Sequence, residues 1–76
     1  MRKWLIAIRK KLRRTQQQVA DQAGIARNYY CQIETGARNP SVKVAKRIAL
    51  ALGFPWTIFF EEQGNETTSA SNYYTK

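Results

Sequence analysis

The chain has 76 residues, with 13 lysines and arginines against 5 acids and no histidine, so it carries a net charge of +8. That leaves room for one small domain with a modest core, and the charge points to a polyanionic partner, either nucleic acid or an acidic membrane surface. A single cysteine, Cys31, excludes an intrachain disulfide, and the lack of a Cys/His cluster argues against a metal site; no metal and no cofactor are expected.

No apolar run is long enough to span a bilayer. The basic start MRKWLIAIRKK is too soon interrupted by Arg9, Lys10 and Lys11 to serve as a signal peptide. The single cysteine fits a reducing cytoplasm, and the well-punctuated globular pattern disfavours a basic amphipathic surface that binds membranes, so no membrane partner is expected. With no histidine, no nucleophile–base pair and no paired carboxylates in the folded part, an enzyme is not expected.

Residues 2–12 read as the first helix. Leu5, Ile8 and Leu12 form one apolar stripe, flanked by Trp4. At about 100° per residue Arg9 falls inside that stripe. A guanidinium there needs an anionic partner or must snorkel out. The acids before residue 61 are Asp21 and Glu34. Glu34 lies on the buried side of its own helix, so an Arg9–Glu34 ion pair that orients helices is expected. The run RKKLRR, which includes Arg13, reads equally well as a solvated face or as an attractor of phosphates.

Thr15 and Gln18 form a T-x-x-Q capping box that opens a second helix at Gln16. Val19, Ala20 and Ala23 follow at helical spacing, and Gly24 ends the helix. After a short link a third helix covers roughly 26–35, with Tyr30, Ile33 and Ala26 on its buried side. Asn28 and Gln32 fall on the opposite side, with Arg27, Cys31 and Thr35 on the arc between. Amides and a guanidinium can read adenine and guanine edges, but an outward polar face is also the ordinary solvated surface. Two short helices joined in this way make a helix-turn-helix.

Gly36 and Pro40 end the third helix, and Ser41 caps a fourth over about 42–52. Its expected apolar face is Val42, Ala45, Ile48, Ala49 and Leu52, with Lys43, Lys46 and Arg47 pointing away. Gly53 stops it. Phe54-Pro55 opens a last helix over 55–62, whose Trp56, Phe59 and Phe60 close the core against Trp4. Ile58 points to nearly the opposite side. The sequence QGNETTSASNYYTK that follows is polar and aperiodic. One domain over 1–62 and a flexible tail over 63–76 are expected.

The pattern Thr15-Gln16, Val19-Ala20, Ala23-Gly24-Ile25, Tyr29-Tyr30, Ile33-Glu34, Gly36 and Pro40-Ser41 resembles the phage repressor and Cro family of helix-turn-helix regulators, the XRE family. The likeness continues through Ala45, Ile48-Ala49 and Leu52-Gly53 and covers about residues 1–61. It implies an all-α, lambda-repressor-like domain of five short helices. It also implies sequence-specific binding of double-stranded DNA by a transcriptional regulator, a repressor before an activator. The third helix would enter the major groove.

On that resemblance Arg27, Asn28 and Gln32 read bases. Gln16 matches a family glutamine that anchors on the backbone or reaches a base edge. Gln17, Tyr29, Lys43 and Arg13 are phosphate candidates, as are Arg38 and Asn39, whose loop runs along the DNA in relatives. The resemblance also supports the Arg9–Glu34 pair.

Two departures stand out. Relatives commonly have glycine near position 13, so the bend at Arg13 is expected to be shaped differently. Ala26 stands where relatives cap with serine or threonine, a loss of about 1 kcal/mol. Relatives pair two motifs about one DNA turn apart, which implies a homodimer on DNA. Phe54, Pro55 and Ile58 are the expected seam. The alternative is a fold-sharing protein-interaction module, antitoxin-like or anti-repressor. Its signature would be loss of basic residues beside the third helix, where Arg27, Arg38 and Lys43 stand. No sensor domain is read in the sequence, so a signal is expected to act through a protein partner, proteolysis or expression level.

Overall fold

The computed structural model describes residues 1–64, and among them five helices and no strand. They are α1 (Lys3–Lys11), α2 (Gln16–Ala23), α3 (Arg27–Thr35), α4 (Val42–Leu52) and α5 (Ile58–Gly64). α2 packs on both α3 and α4, while α1 lies against α3. The domain is all-α with a helix-turn-helix at α2 and α3.

Local chemistry sets the boundaries. The Thr15 hydroxyl accepts from the Gln18 N–H at 3.0 Å, and Gln18 Oε1 accepts from the Thr15 N–H at 2.8 Å, completing the capping box. Gly24, at φ 70°, turns the chain out of α2 in a left-handed conformation. Ala26 opens α3 with extended backbone and no side-chain cap bond, whereas the Ser41 hydroxyl caps α4 by accepting from the Val44 N–H at 3.2 Å.

The core joins Leu5, Val19, Ala20, Ala23, Tyr30, Ile33, Ala45, Ile48, Leu52 and Phe59. Trp4 closes one end, its ring edge-on to Phe59 at 5.1 Å and to Phe54 at 5.2 Å. Trp56 and Phe60, both packed against the core, meet edge-on at 5.8 Å.

Several expected positions differ. α5 begins at Ile58, not at Pro55. Residues 55–57 form a turn, in which the N–H groups of Ile58, Phe59 and Phe60 each donate to the carbonyl three residues back. α5 also runs through Gly64, two residues past the expected boundary; the rest of the tail, with Tyr73 and Tyr74, lies outside the described residues. Leu12 and Val42 are 44% and 48% exposed. Each sits at a helix end that overhangs the core, and Val44 packs against the core instead. Ala26 is exposed at the cap position. Lys46 is not merely solvated, because its ammonium lies 5.0 Å from the Trp56 ring.

Arg13 closes the bend after α1 in a left-handed conformation. It adopts φ 57°, among the described residues the one non-glycine in the left-handed region. The Arg13 N–H donates to Lys10 at 2.9 Å and the Arg14 N–H to Arg9 at 3.1 Å, the paired bonds of a Schellman ending. The side chain of Arg9 closes the same turn by donating to the Arg14 carbonyl at 2.9 Å.

A residue with a Cβ costs about 1–2 kcal/mol in that conformation. Glycine removes the cost but adds unfolded-chain freedom. Arg13→Gly is therefore expected to stabilise the domain by about 0.5–1 kcal/mol, a rise of about 2–8 °C in melting temperature. A fall in a thermal melt would show that Arg13 contributes more through its contacts than it costs in strain.

Candidate nucleic-acid interface

The packing of α3 decides what its outer face can offer. Tyr30, Ile33 and Glu34 are buried, which turns Arg27, Asn28 and Gln32 outward, all three exposed. The Thr35 hydroxyl donates to the Gln32 carbonyl at 3.0 Å, as does the Arg38 N–H at 3.2 Å. Gln32 thus has a fixed backbone and a free amide. Three planar or forked polar groups on one face match the donor and acceptor edges of purines.

Behind that face lies a saturated ionic network. Glu34 Oε2 accepts from Arg9 Nε at 2.6 Å and from the Tyr30 hydroxyl at 2.6 Å. Its Oε1 accepts from Gln16 Nε2 at 3.0 Å and from an Arg9 Nη at 3.3 Å. Side-chain exposure is 12% for Arg9 and 3% for Glu34. Burial pushes the Glu34 carboxyl up, but hydrogen bonds from Arg9, Tyr30 and Gln16 outweigh it, and the carboxyl lies below the usual range. Burial, and then the bond to Glu34, pushes the Tyr30 phenol up. The bond to Glu34 raises Arg9, against its own desolvation.

Gln16 is tied into this network. It is half-buried, with Nε2 held by Glu34 and within 3.8 Å of the Cys31 sulfur. It fastens α2 to α3 and leaves only its carbonyl oxygen for a ligand. Gln17 is exposed and folds back, donating to Asp21 at 2.8 Å.

The loop after α3 carries the next group. The Arg38 guanidinium lies 5.6 Å from the half-buried Tyr29 ring. Asn39 is exposed, but its Oδ1 accepts from Arg2 Nη2 at 2.6 Å. Lys43, in the first turn of α4, and Arg13 are exposed on other elements. The structure thus joins Gln16 to α3, Tyr29 to Arg38, and Asn39 to the N-terminal segment.

A helix-turn-helix family model matches residues 5–59, most of the chain. The chain belongs to the helix-turn-helix family. Within it the match is to the phage repressor and Cro type that the motif resembles. This helix-turn-helix protein is also similar, at 55% identity over 67 residues and 88% of each chain, to a Bacillus subtilis (strain 168) protein named "Uncharacterized HTH-type transcriptional regulator YqaF". No solved structure matches.

Of the expected seam, Phe54 packs into the core against Trp4 and Phe59, while Pro55 is exposed and Ile58 half-buried. Leu50, which the sequence reading passed over, is 86% exposed. Arg2 was missed altogether. It is 4% exposed and bonds three acceptors more than 30 residues away. The one hint was electrostatic, because a cation at a helix N-terminus is disfavoured by the dipole and so needs another reason to be there.

Proposed function

We propose that this protein is a sequence-specific double-stranded-DNA-binding transcriptional regulator, acting as a repressor in the cytoplasm and catalysing no reaction. α3 enters the major groove, where Arg27, Asn28 and Gln32 read base edges. Arg38, Asn39, Lys43, Tyr29, Gln17 and Arg13 meet phosphates. The reading is carried by the outward, unburied face of α3, with Arg27, Asn28 and Gln32 together on it. One such helix reads only a few base pairs, so two copies pair on the DNA. Ile58 and Pro55 remain the proposed seam, with Leu50 as added apolar surface; Phe54 supports it from the core.

Selection from randomised duplex DNA tests this. The selected site should be nearly palindromic, with half-sites about 34 Å apart. Gln32→Ala and Asn28→Ala should each lose about 1–3 kcal/mol of discrimination at the base they read. Arg38→Ala should weaken selected and random sites alike. Equal losses on both DNAs for Gln32→Ala would remove it from the base-reading set. The presence of basic Arg27, Arg38 and Lys43 disfavours the protein-interaction module.

A further inference from the structure

α3 is gripped by two guanidinium groups from the α1 side. Arg9 holds the Glu34 side chain in its last turn, and Arg2, just ahead of α1, holds the backbone there and in the loop beyond. The Arg2 backbone N–H donates to the Glu34 carbonyl at 2.8 Å. Its Nη1 donates to the Ile33 carbonyl at 2.5 Å and to the Arg38 carbonyl at 3.2 Å. Its Nη2 donates to Asn39 Oδ1 at 2.6 Å, and its guanidinium carbon lies 5.6 Å from the Phe59 ring.

The physical reason for a buried cation here is the helix end. The last four carbonyls of a helix lack intrahelical partners, and the C-terminus is the negative end of its dipole. Ile33 and Glu34 belong to that last turn of α3. Arg2 is thus a C-terminal cap delivered from a distant segment, and it does not stop at the helix. Through the Arg38 carbonyl and Asn39 Oδ1 it also fixes the loop that follows.

That fixing has a direction. With Oδ1 of Asn39 turned inward to Arg2, the amide group left for a ligand is Nδ2, a donor. With the Arg38 carbonyl turned inward, its exposed guanidinium stands above Tyr29 on the outer side. Both side chains offer donors, which suits the acceptor-only oxygens of a phosphate.

We propose that Arg2 is a positioning residue for contact with the phosphate backbone of duplex DNA: it holds the loop over 36–39 so that Arg38 and Asn39 present donors outward. This rests on the reading of that loop as a DNA contact. Arg2 itself is buried and touches no phosphate; it acts through Arg38 and Asn39.

The test compares the full chain with Arg2→Met, Arg2→Lys, Arg38→Ala and the double variant Arg2→Met with Arg38→Ala. The probe is a fluorescent 24-base-pair duplex of random sequence, titrated at several salt concentrations, with affinities corrected for the folded fraction from thermal melts. Arg2→Met, which keeps bulk against Phe59, should bind about tenfold more weakly per folded molecule, with a salt slope shallower by about 0.9 per protomer, as for Arg38→Ala. Adding it to Arg38→Ala should cost much less than it does alone, because both changes act on one contact. Arg2→Lys keeps the charge but cannot bridge the spread of acceptors, and should fall between the parent and Arg2→Met. If Arg2→Met does not fold, Arg2→Lys carries the same comparison. Parental affinity and slope per folded Arg2→Met or Arg2→Lys molecule would make Arg2 a stability residue only and overturn the proposal, as would full additivity with Arg38→Ala. A parent that binds no duplex at low salt is a different result, which removes the DNA reading and the proposal with it.

Discussion

Replacing Glu34 with alanine, or Arg9 with methionine, should each lower stability by about 3–5 kcal/mol, because each leaves a buried group without its partner. Glu34→Ala strands the donors of Arg9, Tyr30 and Gln16, which all converge on its carboxylate. Arg9→Met leaves a carboxylate that is 3% exposed with only neutral donors. A domain of this size holds roughly 4–11 kcal/mol in total, so either variant sits near its unfolding threshold. The double change Arg9→Met with Glu34→Ala should cost less than the sum, with a coupling of about 0.5–3 kcal/mol. Additive losses in urea melts would show that the pair contributes nothing jointly.

The pH dependence follows from the same network. The folded-state Glu34 carboxyl lies below its unfolded value of about 4.3. Its contribution is therefore present above that value and is lost as the pH falls through the folded pKa. Tyr30 is raised above its unfolded value of about 10. Its contribution is complete below about pH 10 and falls away as the pH rises from there towards the raised folded value. Stability should decline on both sides, and the Glu34→Gln variant should lack most of the acid limb.

What the sequence made legible was local. The capping box, the three turn glycines and the 3.6-residue apolar period placed α2, α3 and α4 within a residue of their observed bounds, because those signals act over four or five positions. Arg9 was also legible, since a cation inside an apolar stripe demands an acid and few acids were available. Arg2 was not. Its acceptors are main-chain carbonyls and an amide oxygen, which leave no mark in the pattern of side chains. Gln16 was legible as a helix-start residue but not as a donor to Glu34, because that bond depends on how α2 packs on α3. The start of α4 misled for a related reason. VKVAKRIALAL is apolar around much of its circumference, so periodicity alone could not tell exposed Val42 from packed Val44. At α5 the proline suggested a first helical residue, whereas Pro55 opens a turn that lets Phe54 fold back onto Trp4.

Duplex binding should weaken steeply with salt, and the steepness counts the copies on the DNA. Each phosphate neutralised by a lysine or arginine releases counterions and adds about −0.9 to the slope of log affinity against log salt. Arg13, Arg38 and Lys43 are the exposed cations proposed for phosphates. Three such contacts give a slope of about −2.7 for one protomer, and six give about −5.4 for a pair. Raising salt fourfold, from about 50 to 200 mM, then weakens a single copy by about 40-fold and a pair by about 10³-fold. The neutral contacts from Gln17, Tyr29 and Asn39 add affinity without adding slope. Arg13→Gly gives the measurement an internal control, because it should keep or raise thermal stability while making the slope shallower by about 0.9 per protomer. A selected site bound with a slope near −2.7 would mean that one copy suffices. A slope that ignores Arg13, Arg38 and Lys43 would place the phosphate contacts on other basic residues. Absence of duplex binding even at low salt would leave the helix-turn-helix fold in place but move its partner from DNA to protein.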